Sequence, residues 1–284
     1  MPHLDIDLLR TFVAIAENHT LGRAAHRVGR TQAALSMQVK KLEYLLDLPL
    51  LNRTGRGVEL TLHGERLLVH ARAILRLHDA ALADITGAGL AGTLRFGCPD
   101  DYAAAFLPHI LRSFASRHPQ VFVEVFCAPT PRLEERLRSH DLDLALVSAS
   151  DAGQSASWLR REPLVWVGNR DDEAAQREPL QLALSDPDTP DHRAACRELE
   201  AAGRSYRIAY ASGSMSGLLA VVRSGQAIAV LTQCAVPADL RILPPGSVLP
   251  RLPDVGLVVR FGLQSPPTLV AEFAHHLQAL LPAL

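Results

Sequence analysis

The sequence predicts an all-α N-terminal domain with a winged helix-turn-helix, then a long helix, and then an α/β region. Apolar residues recur at intervals of three and four up to about residue 50, which is typical of helices. A short glycine-bracketed hairpin pattern follows. After the flexible GAGLAG joint at residues 87–92, apolar runs alternate with amphipathic segments, which is typical of α/β folds. We therefore place the domains at residues 1–61, 62–90 and 91–284.

Composition limits the classes that the chain can belong to. A chain of 284 residues with 48% hydrophobic content can bury more than one core. It has no run of about 18 apolar residues and no basic-then-apolar N-terminal segment, so we expect a soluble, cytoplasmic protein. Metal sites, cofactors and disulfides are not expected, because no CxxC or Cys/His ligand spacing joins Cys98, Cys127, Cys196 and Cys234.

The first three helices have recognisable starts and stops. Thr20 is a predicted N-cap of the second helix, Gly29 ends that helix, and Thr31 caps the third. The small pair Ala24 and Ala25 lets another helix approach closely. Three helices with a tight turn before the third form a helix-turn-helix core. The first helix carries one apolar stripe, formed by Leu8, Leu9, Phe12, Val13 and Ala16.

Charge is concentrated on this segment. Residues 18–42 hold five Lys or Arg and no Asp or Glu, whereas the whole chain has 29 basic and 30 acidic residues. Both lysines of the protein, Lys40 and Lys41, lie here. A positive surface on a helix-turn-helix indicates double-stranded DNA as a partner. The alternative is an ordinary solvated helix face, which the turn pattern around the charges disfavours.

A hairpin follows the third helix. Gly55 and Gly57 bracket Arg56, and the next run, VELT, alternates like a strand. Such a hairpin is the wing of a winged helix, and an arginine at its tip reaches a minor groove or the phosphates. The alternative is a surface hairpin without a DNA role.

The segment from Thr61 to Thr86 predicts one long helix with a heptad stripe. Such a helix has little core of its own, so pairing with a second copy is the economical use, through Leu68, Leu75 and Leu82. Burial against the downstream domain is the alternative. The stripe consists of Leu68, Ala71, Leu75, His78, Leu82 and Ile85, widened by Leu67, Ile74 and Ala81.

The C-terminal region contains several strand candidates, namely TLRFGC, VFVEVF, LDLALV, PLVWVG, LQLAL, YRIAY and AIAVL. In parallel α/β sheets, ligands bind at the carboxyl ends of strands. The loops that matter are therefore Pro99–Tyr102, Ala128–Thr130, Ser148–Ser150 and Ala211–Ser216.

Two carboxylates suggest the chemistry of a ligand. Asp100 and Asp101 follow the first strand and open a helix, where one is expected as the N-cap. The other would face a cleft, repel anions, and favour an amine or a polyhydroxylated neutral molecule. The alternative is that both are solvated capping residues. Hydroxyls for orientation would come from Thr130, Ser148, Ser150, Ser212 and Ser214.

With these residues in view, the chain resembles the LysR-type transcriptional regulators over its full length. The resemblance lies in DLLRTFVAIAEN, RAAHRVGRTQAALSMQVKKLE and PLLNRTGRGVELTLHGE. LRFGCPDDYAAAFLP and LDLALV resemble the LrhA-like branch. The family implies a homodimer or homotetramer on a partly palindromic operator. It also implies a periplasmic-binding-protein-like regulatory domain that senses a small-molecule effector, with one subdomain at about 91–161 plus 268–284 and the other at about 162–267.

The resemblance also assigns DNA contacts. Gln32 and Ser36 fall where the third helix meets bases, with Ala33 beside them. Thr31 and Lys40 fall where phosphates are expected, and Arg53 and Arg56 lie in the wing. Some positions depart from the family pattern. Arg30 stands where an apolar residue is usual and either contacts DNA or packs its stem on the second helix. The other departures are Leu21 and Gly22, in place of an aromatic and a hydroxyl residue, and Leu51, in place of phenylalanine.

Other classes of protein fit less well. The chain has no P-loop, no GxGxxG after a strand and no HExxH, so we expect no enzyme. GSMSG at 213–217 has Met215 where a nucleophile elbow needs serine. The neighbours His275 and His276 point to different faces of a helix and cannot form a metal pair. The main alternative is a cytoplasmic solute-binding protein without a DNA role.

The cysteines allow two interpretations. Cys98 and Cys127 each end a strand of the first subdomain, so a redox sensor near the cleft is one. No basic residue lies beside either in sequence to lower the thiol pKa, which favours small buried core residues. We therefore expect oxidants to leave DNA binding unchanged.

Overall fold

The computed structural model describes residues 3–55, 57–86, 90–150, 158–170, 173–246 and 248–284. The chain forms two compact units. The first consists of Met1–Gly89 with Ser139–Asp141, and the second of Leu90–Arg138 with Leu142–Leu284. No helix within the described ranges is both long and apolar enough to cross a membrane.

The first unit contains the predicted winged helix. The predicted caps are present: Thr20 accepts from the backbone N–H of Arg23, and Gly29 ends the second helix with φ 65°. The elements are α1 (Ile6–Asn18), α2 (Leu21–Val28), α3 (Gln32–Leu46), β1 (Leu51–Thr54), β2 (Gly57–Leu60) and α4 (Leu62–Thr86).

Two apolar clusters hold these helices together. Leu9, Phe12 and Leu42 join α1 to α3 in one cluster, and Ile15, Ala24 and Leu35 join all three helices in the other. These six side chains are fully buried. The buried hydroxyl of Thr11 also donates to Oε1 of Gln38, which fixes α3 against α1.

The wing is fixed at its base. β1 and β2 pair antiparallel, with Arg53 opposite Val58. The Glu43 Oε1, near the end of α3, accepts hydrogen bonds from the backbone N–H groups of Leu50 (2.8 Å) and Leu51 (3.2 Å). Gly57 has φ 146°, and a Cβ there would lie 2.4 Å from the carbonyl oxygen of His19. Only glycine fits this close approach.

The long helix α4 has two different halves, which corrects the prediction of one pairing stripe. Leu75 is 8% exposed and, with Ala71, belongs to the cluster around Phe12, against which Leu68 also packs. These side chains are used inside the protomer because α1 covers this half of the helix. The other predicted residue, Leu82, is 51% exposed.

The second unit is built on one continuous sheet in the order β4-β3-β5-β11-β6-β9-β7-β8, with β10 paired to β6. Every strand candidate of this region forms a strand. The strands are β3 (Gly92–Cys98), β4 (Val121–Cys127), β5 (Leu144–Ala149), β6 (Arg160–Gly168), β7 (Leu180–Leu184), β8 (Tyr206–Ala211), β9 (Ile228–Thr232), β10 (Arg241–Leu243) and β11 (Asp254–Phe261). The helices are α5 (Asp100–Arg117), α6 (Thr130–Arg138), α7 (Pro190–Ala201), α8 (Met215–Arg223) and α9 (Thr268–Leu280).

The sheet is divided into two lobes, each covered by helices on both faces. In the first lobe, α5 and α9 pack on one face of β4-β3-β5-β11, and α6 packs on the other. In the second lobe, α7 covers one face of β6-β9-β7-β8 and α8 covers the other. Each lobe therefore has its own hydrophobic core, as the two-subdomain prediction requires.

The strands β6 and β11 cross between the lobes and correct the predicted boundary of 162–267. Gly256–Phe261 of β11 pair with β5, so this strand belongs to the first lobe. Asp254–Leu257 also pair with Arg160–Pro163 of β6, whereas Leu164–Val167 of β6 pair with β9. Pairing between distant segments places β11 in the first lobe, which its position in the sequence does not indicate.

Candidate nucleic-acid interface and ligand cleft

The exposed side of α3 gathers the residues predicted to meet DNA. Gln32, Ala33 and Lys40 are exposed and Ser36 is half-buried. Met37, which the sequence analysis did not single out, is 71% exposed and lies one turn from both Ala33 and Lys40. Its spacing, four residues after Ala33 and three before Lys40, is the sequence signal that could have identified it. We call these five residues the recognition face.

The start of α3 favours an anionic partner. Thr31 is the N-cap, and its Oγ1 accepts a 3.2 Å hydrogen bond from the backbone N–H of Ala34. The first turn contains no acidic residue, so the positive end of the helix dipole is not neutralised. The Thr31 hydroxyl still has its proton to donate to a phosphate.

The remaining predicted DNA contacts are less fully described. Arg30 is exposed. Its backbone N–H donates a 3.0 Å hydrogen bond to the carbonyl oxygen of Ala25, so the residue lies directly after the end of α2. Arg53 lies in β1. Arg56 lies outside the described residues.

A cleft of about 660 Å³, including space open to solvent, lies between the two lobes of the second unit. Its volume is in the range of small-molecule sites. The carboxyl ends of strands and the starts of α5, α7 and α8 surround it. The lining residues are Pro99, Asp100, Asp101, Pro129, Thr130, Ser148, Leu164, Ser185, Thr189, Pro190, Asp191, Ser212, Gly213, Ser214, Met215, Leu218, Val230, Leu231, Thr232 and Val255.

The first-lobe wall is a chain of hydrogen bonds. Oγ1 of Thr130 accepts from the backbone N–H of Ser148 at 3.1 Å. The Ser148 hydroxyl is 2.8 Å from the hydroxyl of Tyr102, whose ring is buried. Both predicted hydroxyls therefore stand on the same side of the cleft as Asp100 and Asp101, and not opposite them.

Asp101 has a different role from the one predicted. The N-cap of α5 is Pro99, so neither aspartate caps the helix. Asp101 accepts hydrogen bonds of 3.0 Å from the N–H of Tyr102 and from Oγ1 of Thr232. Burial raises the pKa of Asp101 to about 6, and the nearby carboxylate of Asp191 also raises it, while both hydrogen bonds lower it.

The second-lobe wall supplies further polar groups. The Ser214 side chain caps α8 by accepting from the N–H of Gly217 at 3.3 Å, and Ser212 lies beside it. The Ser185 hydroxyl donates to Oδ2 of Asp191 at 2.6 Å. Among the predicted ligand residues, Ser150 alone is absent from the described lining. It is exposed just beyond the end of β5.

Four polar lining residues were missed by the sequence analysis, namely Ser185, Thr189, Asp191 and Thr232. Ser185 directly follows the LQLAL strand, and Thr232 directly follows the AIAVL run. The rule that ligands bind at the carboxyl ends of strands would have found both, had these two strand ends been included.

The cleft is acidic. Its described lining contains Asp100, Asp101 and Asp191 but no Lys, Arg or His. No ion pair between a basic side chain and any of these carboxylates occurs in the described part of the chain. A carboxylate on a ligand would be repelled here, and a positive group would be attracted.

The two cysteines that end strands of the first lobe differ in exposure. Cys98 is fully buried, as predicted, and its burial raises the thiol pKa well above the usual value. Cys127 is exposed, which corrects the prediction for that residue, because it ends the edge strand β4. Partial burial and the charge of Asp100 raise its pKa.

Comparison with known families identifies the architecture. Residues 87–282 match the LysR substrate binding domain, which is more than half of the chain. The protein belongs to the LysR family. Residues 6–65 of this LysR-family protein match the bacterial regulatory helix-turn-helix protein of the lysR family. It is therefore a DNA-binding transcriptional regulator with a substrate-binding domain.

Relatives of this LysR-family regulator agree over its full length. It is 59% identical over 281 residues to the HTH-type transcriptional regulator DgdR of Burkholderia cepacia, covering 99% of this chain and 96% of that protein. A full-length OxyR variant from Pseudomonas aeruginosa has a TM-score of 0.71 at 23% identity, covering 98% and 95% of the two chains. Full-length CbnR complexed with its target DNA has a TM-score of 0.64 at 20% identity, covering 97% and 99%. These two structures show the shared fold. The LrhA-like placement stays a prediction.

Proposed function

We propose that this LysR-family regulator binds operator DNA through the recognition face and the wing, and that an effector in the cleft controls this binding. The start of α3 is the observation that best supports DNA binding, because an exposed helix N-terminus without acidic residues can bind phosphates and bases. Gln32, Ala33 and Ser36 would meet bases. Phosphates would be contacted by Arg30, Thr31, Lys40, Arg53 and Arg56.

Salt dependence of DNA binding tests this proposal. Affinity for random and operator DNA, measured by fluorescence anisotropy, should fall linearly on a log–log plot against salt as counterions are released. Arg193→Ala, at an exposed position of α7, is the control that should leave the slope unchanged. A protein that binds no DNA at low salt would instead be a solute-binding protein.

We propose homo-oligomer formation through the exposed side of α4 between Ile74 and Ile85. Four large apolar side chains are exposed there: Ile74 (37%), Leu77 (64%), Leu82 (51%) and Ile85 (82%). Exposed apolar rows on a long helix are typical of helix-pairing surfaces. Leu68 and Leu75 are not part of the proposed interface, because they pack in the hydrophobic core of the winged helix.

The effector that we propose is a small amine. Its ammonium group would lie among Asp100, Asp101 and Asp191, where three carboxylates meet no cation among the described lining residues. Hydroxyls of Thr130, Ser148, Ser185, Ser212 and Ser214 would orient the rest of the molecule, with Ser185 replacing the predicted Ser150.

A thermal-shift screen of amines, amino acids, sugars and simple carboxylates tests the effector class. We expect only compounds with an ammonium group to raise the melting temperature. Stabilisation by simple carboxylates alone, unchanged in Asp101→Asn, would contradict the proposal.

The remaining assignments follow from family membership. The family match and the relative's name describe transcriptional regulators, so we infer a regulatory and not an enzymatic role, in the cytoplasm. We retain residues 1–61 as the DNA-binding domain, 62–90 as the linker helix and hinge, and 91–284 as the regulatory domain, with β11 assigned to the first subdomain.

A further inference from the structure

Gly22 in α2 and Gln32 at the start of α3 lie in close contact. A Cβ placed on Gly22 would be 2.7 Å from Nε2 of Gln32 and 3.9 Å from its Cδ. Non-bonded carbon and nitrogen atoms do not approach so closely, so a side chain at position 22 would displace the amide of Gln32. The glycine leaves the space that this amide occupies.

The backbone does not explain a glycine at this position. Gly22 is helical and has no left-handed φ, unlike Gly29, which ends the same helix at φ 65°. Glycine is among the poorest residues for a helix, and alanine would suit α2 better. The described structure gives the Gln32 amide as the one group that a Cβ at this position would meet.

The Gln32 amide lies in the space that a side chain at position 22 would fill. No hydrogen bond to its Oε1 or Nε2 occurs within the described part of the chain, and the side chain is exposed. The N-cap bond at this helix start is made by Thr31, not by Gln32. An amide reads adenine only when both of its polar atoms face the base edge, so its direction decides whether the pair forms.

We infer that Gly22 is a positioning residue for operator recognition, and that it acts through Gln32. By leaving room beside α2, it lets the Gln32 amide lie against that helix, in a direction that a side chain at position 22 would exclude. This inference rests on the proposed role of Gln32 in reading a base. It concerns specificity, because Gly22 itself offers no side chain to DNA.

The first test uses Gly22→Ala and Gly22→Ser, with Gly246→Ala as the matched control because a Cβ there meets nothing within 4 Å. Fluorescence anisotropy at fixed salt would give the ratio of operator to random-DNA affinity. Both Gly22 variants should lose about 5-fold or more of this ratio. Their affinity for random DNA should stay unchanged, and the melting temperature of Gly22→Ala should not fall. Loss of affinity for both DNAs together, or a lower melting temperature, would overturn the inference.

A double-mutant cycle distinguishes this inference from the proposal on which it rests, that Gln32 reads a base. In the Gln32→Ala background, Gly22→Ala should change the ratio no further, because the group that it displaces is gone. An undiminished loss in that background would refute the action through Gln32 while leaving Gln32 as a base reader. If Gln32→Ala alone keeps the wild-type ratio, the base-reading proposal and the inference both fail.

Discussion

The Oγ1 of Thr232 donates a 3.0 Å hydrogen bond to Oδ2 of Asp101. Thr232 ends β9 in the second lobe, and Asp101 lies in the first turn of α5 in the first lobe. Both residues line the cleft. A ligand that engages the Asp101 carboxylate therefore acts on a bond that joins the two lobes, which is a direct route from occupancy to lobe arrangement.

Amine binding should depend on pH through Asp101. Its pKa is raised to about 6, first by burial, so the carboxylate is ionised above this pH and neutral below it. Isothermal titration should show amine affinity falling by about tenfold from pH 7 to about pH 5. Thr232→Val removes a hydrogen bond that lowers this pKa, so its midpoint should move to higher pH. A flat profile in the wild type would contradict the role of Asp101.

The same pKa shift predicts how the stability of the protein varies with pH. Native Asp101 keeps its proton up to about pH 6, whereas the unfolded chain loses it near the ordinary value of 3.8. The contribution of this group to stability is therefore present below pH 3.8 and is lost as the pH rises through about 6. Asp101→Asn should remove this loss, on the order of 1–3 kcal/mol in the free energy of unfolding. Denaturant melts of both proteins across this pH range would measure it.

Oligomer formation should depend on the exposed side of α4 between Ile74 and Ile85. Glutamates at Leu77 and Ile85 would place like charges across a two-fold interface, so the double variant should elute as a folded monomer. Leu75→Ala is the contrasting control. It empties a buried site and should lower the free energy of unfolding by about 2–5 kcal/mol. If light scattering gives the Leu77→Glu/Ile85→Glu variant the molar mass of the wild type, the interface does not lie on this side of α4.

DNA contacts should separate into specific and non-specific ones. Gln32→Ala should cost about 1–3 kcal/mol at the operator and nothing on random DNA. Lys40→Ala should weaken both and reduce the salt slope by about 1. Equal losses on both DNAs for Gln32→Ala would make Gln32 a phosphate-positioning residue.

Peroxide should leave operator affinity unchanged. The thiolate is the reactive form, and the raised pKa values of Cys98 and Cys127 keep both thiols protonated. Cys127 is exposed, so its accessibility provides the stricter test. A peroxide response in the anisotropy assay that Cys98→Ser or Cys127→Ser abolishes would refute this prediction.

Local patterns predicted much of the fold. The caps at Thr20 and Thr31 and the stop at Gly29 follow from side-chain chemistry within a few residues, and all three are observed. The strand candidates were mostly apolar runs, and the central strand β9 is buried at every position, as expected for a strand covered on both faces. The cleft walls followed from the ends of those runs, because parallel strands present their carboxyl ends at one edge.

Non-local contacts account for what the sequence did not predict. The heptad stripe cannot distinguish Leu75, which α1 covers, from Leu82, which is exposed, because both fit the same period. The assignment of β11 to the first lobe depends on pairing with β5, far away in sequence. Asp101 was expected to cap α5 or to face the cleft, and its bond to Thr232 comes from the other lobe.

We propose that an amine in the cleft controls operator binding. The affinity for the screened amine is measured with and without saturating operator. In the same protein sample, the affinity for the operator is measured with and without saturating amine. If the sites are coupled, each ligand must change the affinity of the other by the same factor, typically about 5- to 150-fold. We expect equal factors above one for the wild type, and a factor close to one for Asp101→Asn. An amine that binds the wild-type cleft without changing operator affinity would contradict it.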